Sequence, residues 1–422
     1  MAELGHDVVG VDVDAHKVEL LSNGQAPFFE PELEDLLARN VDAGRLTFTQ
    51  DFSAIEGAQI HFIGVGTPQS ESGAADMTYV DAAFSYMLPH LGHCTSGPEV
   101  VAGKSTVPVG TASRLAQAIE PTGALLVWNP EFLREGFAVQ DTLRPDRMVY
   151  GLPADPGAAT KAQEAMDTVY EQILISGTPR LLMDYATAEL VKISANAFLA
   201  TKISFINAMS QVCDAAGANV TALAEAIGMD DRIGRRFLRA GIGFGGGCLP
   251  KDIRAFQARA DELGVGDALT FLAEVDKVND TMRAGVIRTV RGLLGDRLAG
   301  ATVTVLGAAF KPDSDDMRNS PALDLAVELA HLAKRVVVHD PAAGPILAER
   351  SNRPYEVALS AHSALEGTDL VLIGTEWREY RDLDPTQAAD LARTRYVIDG
   401  RNCLDAQAWK AAGWSYRGIG RR

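Results

Sequence analysis

Short apolar runs alternate with helical patterns at both ends of this 422-residue chain, and a long stretch between them has helical periodicity alone. This arrangement constrains the fold more than any single motif, because strands that each precede a helix pair side by side in a mostly parallel, doubly wound sheet. QIHFIGVGTP, EVVAGKSTVPVGTASRLAQAI and GALLVWNPEFLREG supply the alternation in the first part. ATVTVLGAAFKPD, SPALDLAVELAHLA, RVVVHDP, TDLVLIGTEW and RYVIDGRN supply it in the last. From about Tyr185 the pattern is helical throughout, and the chain is too long for one core. The expected class is α/β: two Rossmann-like doubly wound domains joined by a central helical domain, spanning 1–180, 181–295 and 296–422. RVVVHDP, which carries Asp340, echoes VVGVDVD, which carries Asp12, as two related halves would.

The sequence opens as the tail of a helix, a stop at Gly5 and a strand from His6 to Val11 that leads into Asp12. In a dinucleotide-binding unit a glycine fingerprint precedes the strand-end acid by about 20 residues. Asp12 has too few residues before it to hold one. The expectation is a first domain without its fingerprint strand, either through a start codon assigned internally or because the sequence is a fragment.

Lysine and arginine number 39 against 56 acidic residues, a formal net charge of -17, which argues against nucleic acid or an anionic membrane surface as a partner. No apolar run is long enough to span a bilayer. Cys94, Cys213, Cys248 and Cys403 lie far apart without a CxxC pair, and no HxH or HExxH spacing occurs. Neither a disulfide framework nor a metal site is expected, and a reducing cytoplasm fits best. His6, His339, His93 and Cys94 read as structural, Cys213 and Cys403 as packing residues, and Lys202 as a surface lysine.

One cysteine stands apart. In GIGFGGGCLPKD, residues 241 to 252, glycines let backbone amides approach a ligand, and Pro250 suits the first helical position, so Cys248 sits just ahead of a helix's positive end. That field favours a thiolate; Lys251 adds a second positive charge, and Asp252 returns to the same side one turn later. Glu131 and Glu135 of WNPEFLREG would align along one face of a helical turn, and Lys192 and Asn196 form a polar pair on an otherwise apolar helix.

GFGGGCLPKD, NPEFLREG, STVPVGT, AAFKPDSDDMRNSPA and DGRN, in this order, resemble the nucleotide-sugar 6-dehydrogenases of the UDP-glucose/GDP-mannose dehydrogenase family, and the match covers nearly the whole chain. The resemblance implies oxidation of a sugar's primary alcohol to a carboxylate by two NAD in succession, with Cys248 holding the intermediate as a thiohemiacetal and then a thioester. FGGGCLPKD and RRFLRAGIG favour UDP-glucose as the substrate. GDP-mannose or an N-acetylated UDP-hexosamine are the alternatives, as is a nucleotide-sugar-binding chain inactive for want of the fingerprint.

By the same resemblance Lys192 and Asn196 donate hydrogen bonds to the C6 oxygen, and Asp252 pairs with Lys192; Lys192, Asp252 and a water are all candidates for the proximate base. Glu131 and Thr106 serve the hydrolytic water. Phe132, Leu133, Glu135, Phe237, Leu238, Arg239, Gly245, Phe310, Lys311 and Arg401 contact the nucleotide sugar, with Arg232 reaching a neighbouring subunit's site. Asp12 accepts from the adenosine ribose, and Lys17, Gly66, Thr67, Thr106, Glu135, Lys251 and Arg318 complete the NAD contacts. A homodimer is the minimum assembly that uses Arg232 and Arg318, and an apolar stripe between Leu269 and Leu294 suits pairing with a second copy.

Overall fold

The computed structural model describes residues 1–421. The chain divides into two compact units, one formed by Met1–Ala195 with Ala255–Gly266, the other by Asn196–Arg254 with the chain from Asp267 onward. Two helices, Tyr185–Ala216 and Leu249–Glu262, therefore each contribute residues to both.

In the first unit the strands are β1 (Val8–Val11), β2 (Leu46–Thr49), β3 (Ile60–Ile63), β4 (Val100–Gly103), β5 (Leu125–Trp128), β6 (Met148–Leu152) and β7 (Arg180–Asp184). They form two separate sheets: a parallel pair β1-β2, and a five-stranded sheet in the order β3-β4-β5-β6-β7 that is parallel except where β6 meets β5. β4 and β5 are buried on both faces, as the continuous apolar runs VVAG and LLVW require of inner strands. β1 is shorter than the expected His6 to Val11 and only half-buried, because β2 covers it on one side alone. The residues before it make a single 3₁₀ turn, Ala2–Leu4, ended by Gly5.

The second unit carries β8 (Thr302–Leu306), β9 (Arg335–His339), β10 (Glu356–Val357), β11 (Leu370–Ile373), β12 (Tyr396–Asp399) and β13 (Ser415–Gly418). Their order, β10-β9-β8-β11-β12-β13, is the 3-2-1-4-5-6 arrangement of a doubly wound dinucleotide-type sheet, parallel throughout. β8, TVTVL, is buried at every position and registers Thr302 against Arg335 and Leu370 against Val303. β-Branched residues on both faces of a central strand pack against helices above and below, which is why this run lacks polar alternation.

The helix Tyr185–Ala216 begins where the helical periodicity begins. Asp184 caps it, accepting from the Thr187 backbone N–H at 2.8 Å and the Thr187 hydroxyl at 2.7 Å. In the second unit it lies beside the helix Thr270–Leu294, to which Ser204 Oγ is tied through the carbonyl of Val275 at 2.7 Å. The apolar stripe of Thr270–Leu294 is not free for a second copy: Leu272, Val275, Met282, Val286, Ile287, Val290 and Leu294 are all buried within the chain. The exposed apolar stripe lies on Tyr185–Ala216 instead, at Phe198, Phe205 and Val212, which stand 66, 49 and 56 % exposed. Their seven-residue spacing puts them on one helix face.

Candidate active site

β3, β4 and β5 are neighbouring parallel strands, so the turns that follow them, at 64–68, 104–108 and 129–137, line up along one carboxyl edge, where doubly wound folds bind ligands. Two side chains lock the first two turns together. Thr67 Oγ1 donates to the carbonyl of Thr106 at 2.8 Å, and Ser105 Oγ donates to that of Val65 at 2.6 Å. Gly66, Thr67 and Thr106 are thereby brought side by side. Asp12 follows β1 with its side chain 38 % exposed; one oxygen takes the Asp14 backbone N–H at 2.9 Å and the other lies 3.7 Å from Lys17 Nζ.

The third turn differs from the sequence expectation. Residues 129–134 are not helical, and the next helix starts only at Ala138, so Glu131 and Glu135 are not aligned by a helical turn. Asn-Pro at the strand end keeps the chain from entering a helix there. Glu131 Oε1 accepts from its own downstream amides, Phe132 at 2.7 Å and Leu133 at 3.1 Å, while Oε2 pairs with Lys104 at 3.1 Å. Lys104 also donates to Asn129 Oδ1 at 3.1 Å, and Asn129 is fixed in turn by the Tyr170 hydroxyl and the carbonyl of Val149. The Phe132 ring receives two cations, Arg147 at 4.1 Å and Lys192 Nζ at 5.5 Å from its centroid. Lys192 is thus placed beside the loop of Glu131. Leu133 is exposed and Glu135 half-buried.

The second unit holds the cysteine. Cys248 is exposed and stands immediately before the helix Leu249–Glu262, its backbone carbonyl accepting the Asp252 N–H at 3.0 Å as that of a helix N-cap does. Pro250 falls at the second helical position rather than the first. Asp252, 2 % exposed, is held at both oxygens: Asn196 Nδ2 donates to Oδ2 at 2.6 Å and Lys251 Nζ pairs with Oδ1 at 2.5 Å. Lys251 is thus one ion-pair partner of Asp252, and the amide of Asn196 is turned to the same carboxylate.

The glycines ahead of Cys248 are there for close approach. A Cβ on Gly245 would stand 2.2 Å from the Asn319 carbonyl oxygen, and one on Gly246, whose φ is 84°, would meet the Phe310 ring at 2.8 Å. The loop is pinned from both sides. Gly246 N–H donates to the carbonyl of Arg318 at 2.8 Å, and buried Asn279 clamps Phe244 through paired bonds of 2.8 and 3.0 Å. Phe310 and half-buried Lys311 therefore lie against the loop that presents Cys248.

The remaining basic residues take three different states. Arg232 is 88 % exposed and forked onto Asp230, Arg318 is exposed and forked onto Asp316, and Arg239 reaches Glu376 at 3.8 Å. Arg401 is half-buried, its guanidinium donating to the carbonyls of Gly374 at 2.7 Å and Gly243 at 2.8 Å beside Glu376. Burial lowers its pKa against the pull of Glu376. Phe237 is exposed at a φ of 63°, a conformation unusual for an aromatic residue, while its neighbour Leu238 is buried. Lys202, expected as a plain surface lysine, donates to the carbonyls of Ile233 at 2.9 Å and Gly234 at 3.3 Å and so ties down the loop of Arg232.

Sequence reasoning passed over the carboxylates and amides that hold these loops. Glu30 accepts from Gly136 and Ala138 N–H, both at 2.7 Å, and Glu189 from Gly110 at 2.7 Å and Ala112 at 2.6 Å. Burial pushes the Glu189 carboxyl up, against the pull of those N–H groups. Lys104 was legible as a charge directly after a buried strand; Asn279 and the two glutamates carried no local signal.

Three family models match the chain: the NAD binding domain of the UDP-glucose/GDP-mannose dehydrogenase family over residues 1–174, its central domain over 186–281 and its UDP binding domain over 304–406. The chain is similar to the UDP-glucose 6-dehydrogenase TuaD of Bacillus subtilis (strain 168), 40 % identical over 427 residues that cover 100 % of this chain and 89 % of the relative. It is similar to the UDP-glucose 6-dehydrogenase of Rhizobium meliloti (strain 1021), 40 % identical over 100 % of this chain and 95 % of the relative. Among solved structures, a UDP-glucose dehydrogenase from the archaeon Pyrobaculum islandicum superposes with a TM-score of 0.88 at 36 % identity, covering 100 % of this chain and 94 % of that one.

Proposed function

The chain belongs to the UDP-glucose/GDP-mannose dehydrogenase family, and from that premise we propose that it oxidises UDP-glucose to UDP-glucuronate, a four-electron reaction with two NAD as acceptors. The observation that carries the reading is Cys248, exposed at the cap of a 14-residue helix with the Asn196–Asp252–Lys251 cluster one turn behind it.

The chain's residues fit NAD by their chemistry. The Asp12 carboxylate is open to ribose hydroxyls at the end of β1, and no atom lies within 4 Å of where a Cβ would stand at Gly64 or Gly66, so the backbone there is accessible. We assign Asp12, Lys17, Gly66, Thr67, Thr106, Glu135, Lys251 and Arg318 to the dinucleotide. NAD, when bound, supplies the electron acceptor for each of the two oxidations.

The chain's own part is covalent capture and charge control. Once the C6 alcohol has become an aldehyde, the Cys248 thiolate adds to C6 and the carbonyl oxygen takes a proton, giving a thiohemiacetal; its oxidation leaves a thioester. Water then adds to the thioester carbonyl, the C–S bond breaks, and Cys248 departs as thiolate. Lys192 and Asn196, one turn apart on one helix, are assigned to the C6 oxygen as charge develops on it. Asp252 takes the alcohol proton directly or through water, and Glu131 with Thr106 orients the hydrolytic water. The nucleotide sugar falls to Phe132, Leu133, Glu135, Phe237, Leu238, Arg239, Gly245, Phe310, Lys311 and Arg401. In functional terms residues 1–180 serve NAD, 181–295 the chemistry and 296–422 the UDP-sugar.

We further propose a homodimer, supported by the exposed Phe198, Phe205 and Val212 stripe, with Arg232 and Arg318 serving the neighbouring subunit, and a cytoplasmic location, supported by four cysteines that form no disulfide. Among the described residues no helix is long and apolar enough to cross a membrane.

The deciding experiment is the yield of NADH per UDP-glucose consumed in excess NAD. Two per sugar supports the reading; one per sugar with aldehyde accumulating, or none, overturns it.

A further inference from the structure

Asp340 stands at the end of β9, at the place in RVVVHDP that Asp12 holds in VVGVDVD, yet the two carboxylates have opposite surroundings. Asp12 is partly open to solvent. Asp340 is 2 % exposed and accepts five hydrogen bonds. Oδ2 takes the backbone N–H of Ala308 at 2.7 Å and of Ala309 at 2.9 Å, together with Trp377 Nε1 at 3.1 Å. Oδ1 takes the N–H of Ala342 at 3.0 Å and of Ala343 at 2.8 Å.

Ala308 and Ala309 belong to the turn after β8, the innermost strand of the 3-2-1-4-5-6 sheet. In such a sheet the N–H groups of that turn are the ones free to hold a ligand's phosphate. Here an internal carboxylate already occupies them. The same two residues lead directly into Phe310 and Lys311. Thr375 Oγ1 donates to the Ala309 carbonyl at 2.5 Å, Phe310 N–H donates to the carbonyl of Asp316 at 3.0 Å, and the Phe310 ring packs on Gly246.

We propose that Asp340 is a built-in anion that closes the first turn of the C-terminal sheet to a ligand phosphate and, by fixing Ala308 and Ala309, positions Phe310 and Lys311 for the uridine diphosphate. The inference rests on the reading of this domain as the UDP-sugar side. Asp340 touches no substrate; it is a positioning residue that acts through the backbone.

The test is calorimetric titration of the full chain with UDP, alongside the KM values for UDP-glucose and NAD, for Asp340→Asn and Thr375→Val. In Asp340→Asn the side-chain amide must turn N–H toward one of the two N–H pairs it serves. Expected is a rise of about tenfold in the UDP dissociation constant and in the UDP-glucose KM, with the NAD KM within twofold of wild type. Thr375→Val keeps the shape, loses one bond to the same dipeptide, and is expected to weaken UDP about threefold; it decides the matter if Asp340→Asn fails to fold. Folded variants with wild-type UDP affinity, or with UDP-glucose and NAD KM values raised alike, overturn the proposal. A wild-type chain that binds UDP but does not oxidise UDP-glucose would overturn the reading of the sugar and leave this positioning role standing.

Discussion

Asn196 donates its side-chain amide to Asp252 across 2.6 Å, and both groups are buried. The contact joins the two helices that carry the polar groups of the second unit, and it uses one of the two N–H donors of the amide. Replacing Asn196 by Asp keeps the shape and turns the donor into a second carboxylate against the first. Two carboxylates at that distance repel each other, and protonating one of them restores a donor between them. Asn196→Asp is expected to lower kcat about 100-fold at neutral pH, and its pH-rate profile to recover in part on acidification, as steady-state NADH formation across a pH series will show. An unchanged profile would separate this contact from the chemistry.

Cys248 gives the sharpest chemical prediction. Cys248→Ala removes the nucleophile at an exposed position, so the fold is expected to be unaffected while acid formation falls by at least about 1,000-fold. Product analysis by mass spectrometry checks it: UDP-glucuronate forming at the wild-type rate would rule out the thioester route.

Much of the fold was legible because it is written in local periodicity. The onset of helix at Tyr185, the buried strands β4, β5 and β8, and the order of turns along the carboxyl edges all follow from apolar spacing and turn residues. The holding contacts were not legible, because each joins residues far apart in sequence: Glu30 grips Gly136 across 106 positions and Glu189 grips Ala112 across 77. The NPEF loop misled for the opposite reason. Glu131 and Glu135 have helical spacing, but Pro130 and the ion pair with Lys104 hold the segment in a non-helical course that spacing alone does not reveal.

The assembly is testable through the long helix. Phe198 and Phe205 face outward a heptad apart, so Phe198→Glu with Phe205→Glu would place four carboxylates in the interface of a symmetric pair. The wild type is expected near 90 kDa by light scattering, twice the 45.0 kDa chain, and the double variant near 45 kDa with its circular dichroism unchanged. A wild type already at the single-chain mass would refute the dimer.

His339 gives a pH dependence of stability. Burial holds its imidazole below the ordinary value of 6.5, with Glu379 and Asp340 opposing, and its Nδ1 lies 3.0 Å from the buried Tyr380 hydroxyl. As pH falls, the unfolded chain binds this proton first, so the stability due to the neutral ring is present above pH 6.5 and is lost as pH falls through the lower folded value. Thermal midpoints measured from about pH 7 down to about pH 5 are expected to fall less steeply for His339→Gln than for wild type.

Glu30 tests whether the loop of Glu131 needs an external grip. Among residues 129–137 no helix or strand fixes the backbone; its anchors include Asn129, the Lys104–Glu131 pair, the Arg134–Asp141 fork and the Glu30 carboxylate on Gly136 and Ala138. Glu30→Gln keeps one acceptor and turns an N–H toward the other amide, leaving a buried donor unpaired at a cost of about 1–3 kcal/mol. Loosening falls on the end of the loop beyond Glu135, so the loss is expected in kcat, about tenfold, with the UDP affinity of the separate C-terminal sheet unchanged. Steady-state kinetics paired with UDP calorimetry reads both quantities. Equal losses in kcat and in UDP binding would mean that Glu30 supports the fold at large and not this loop.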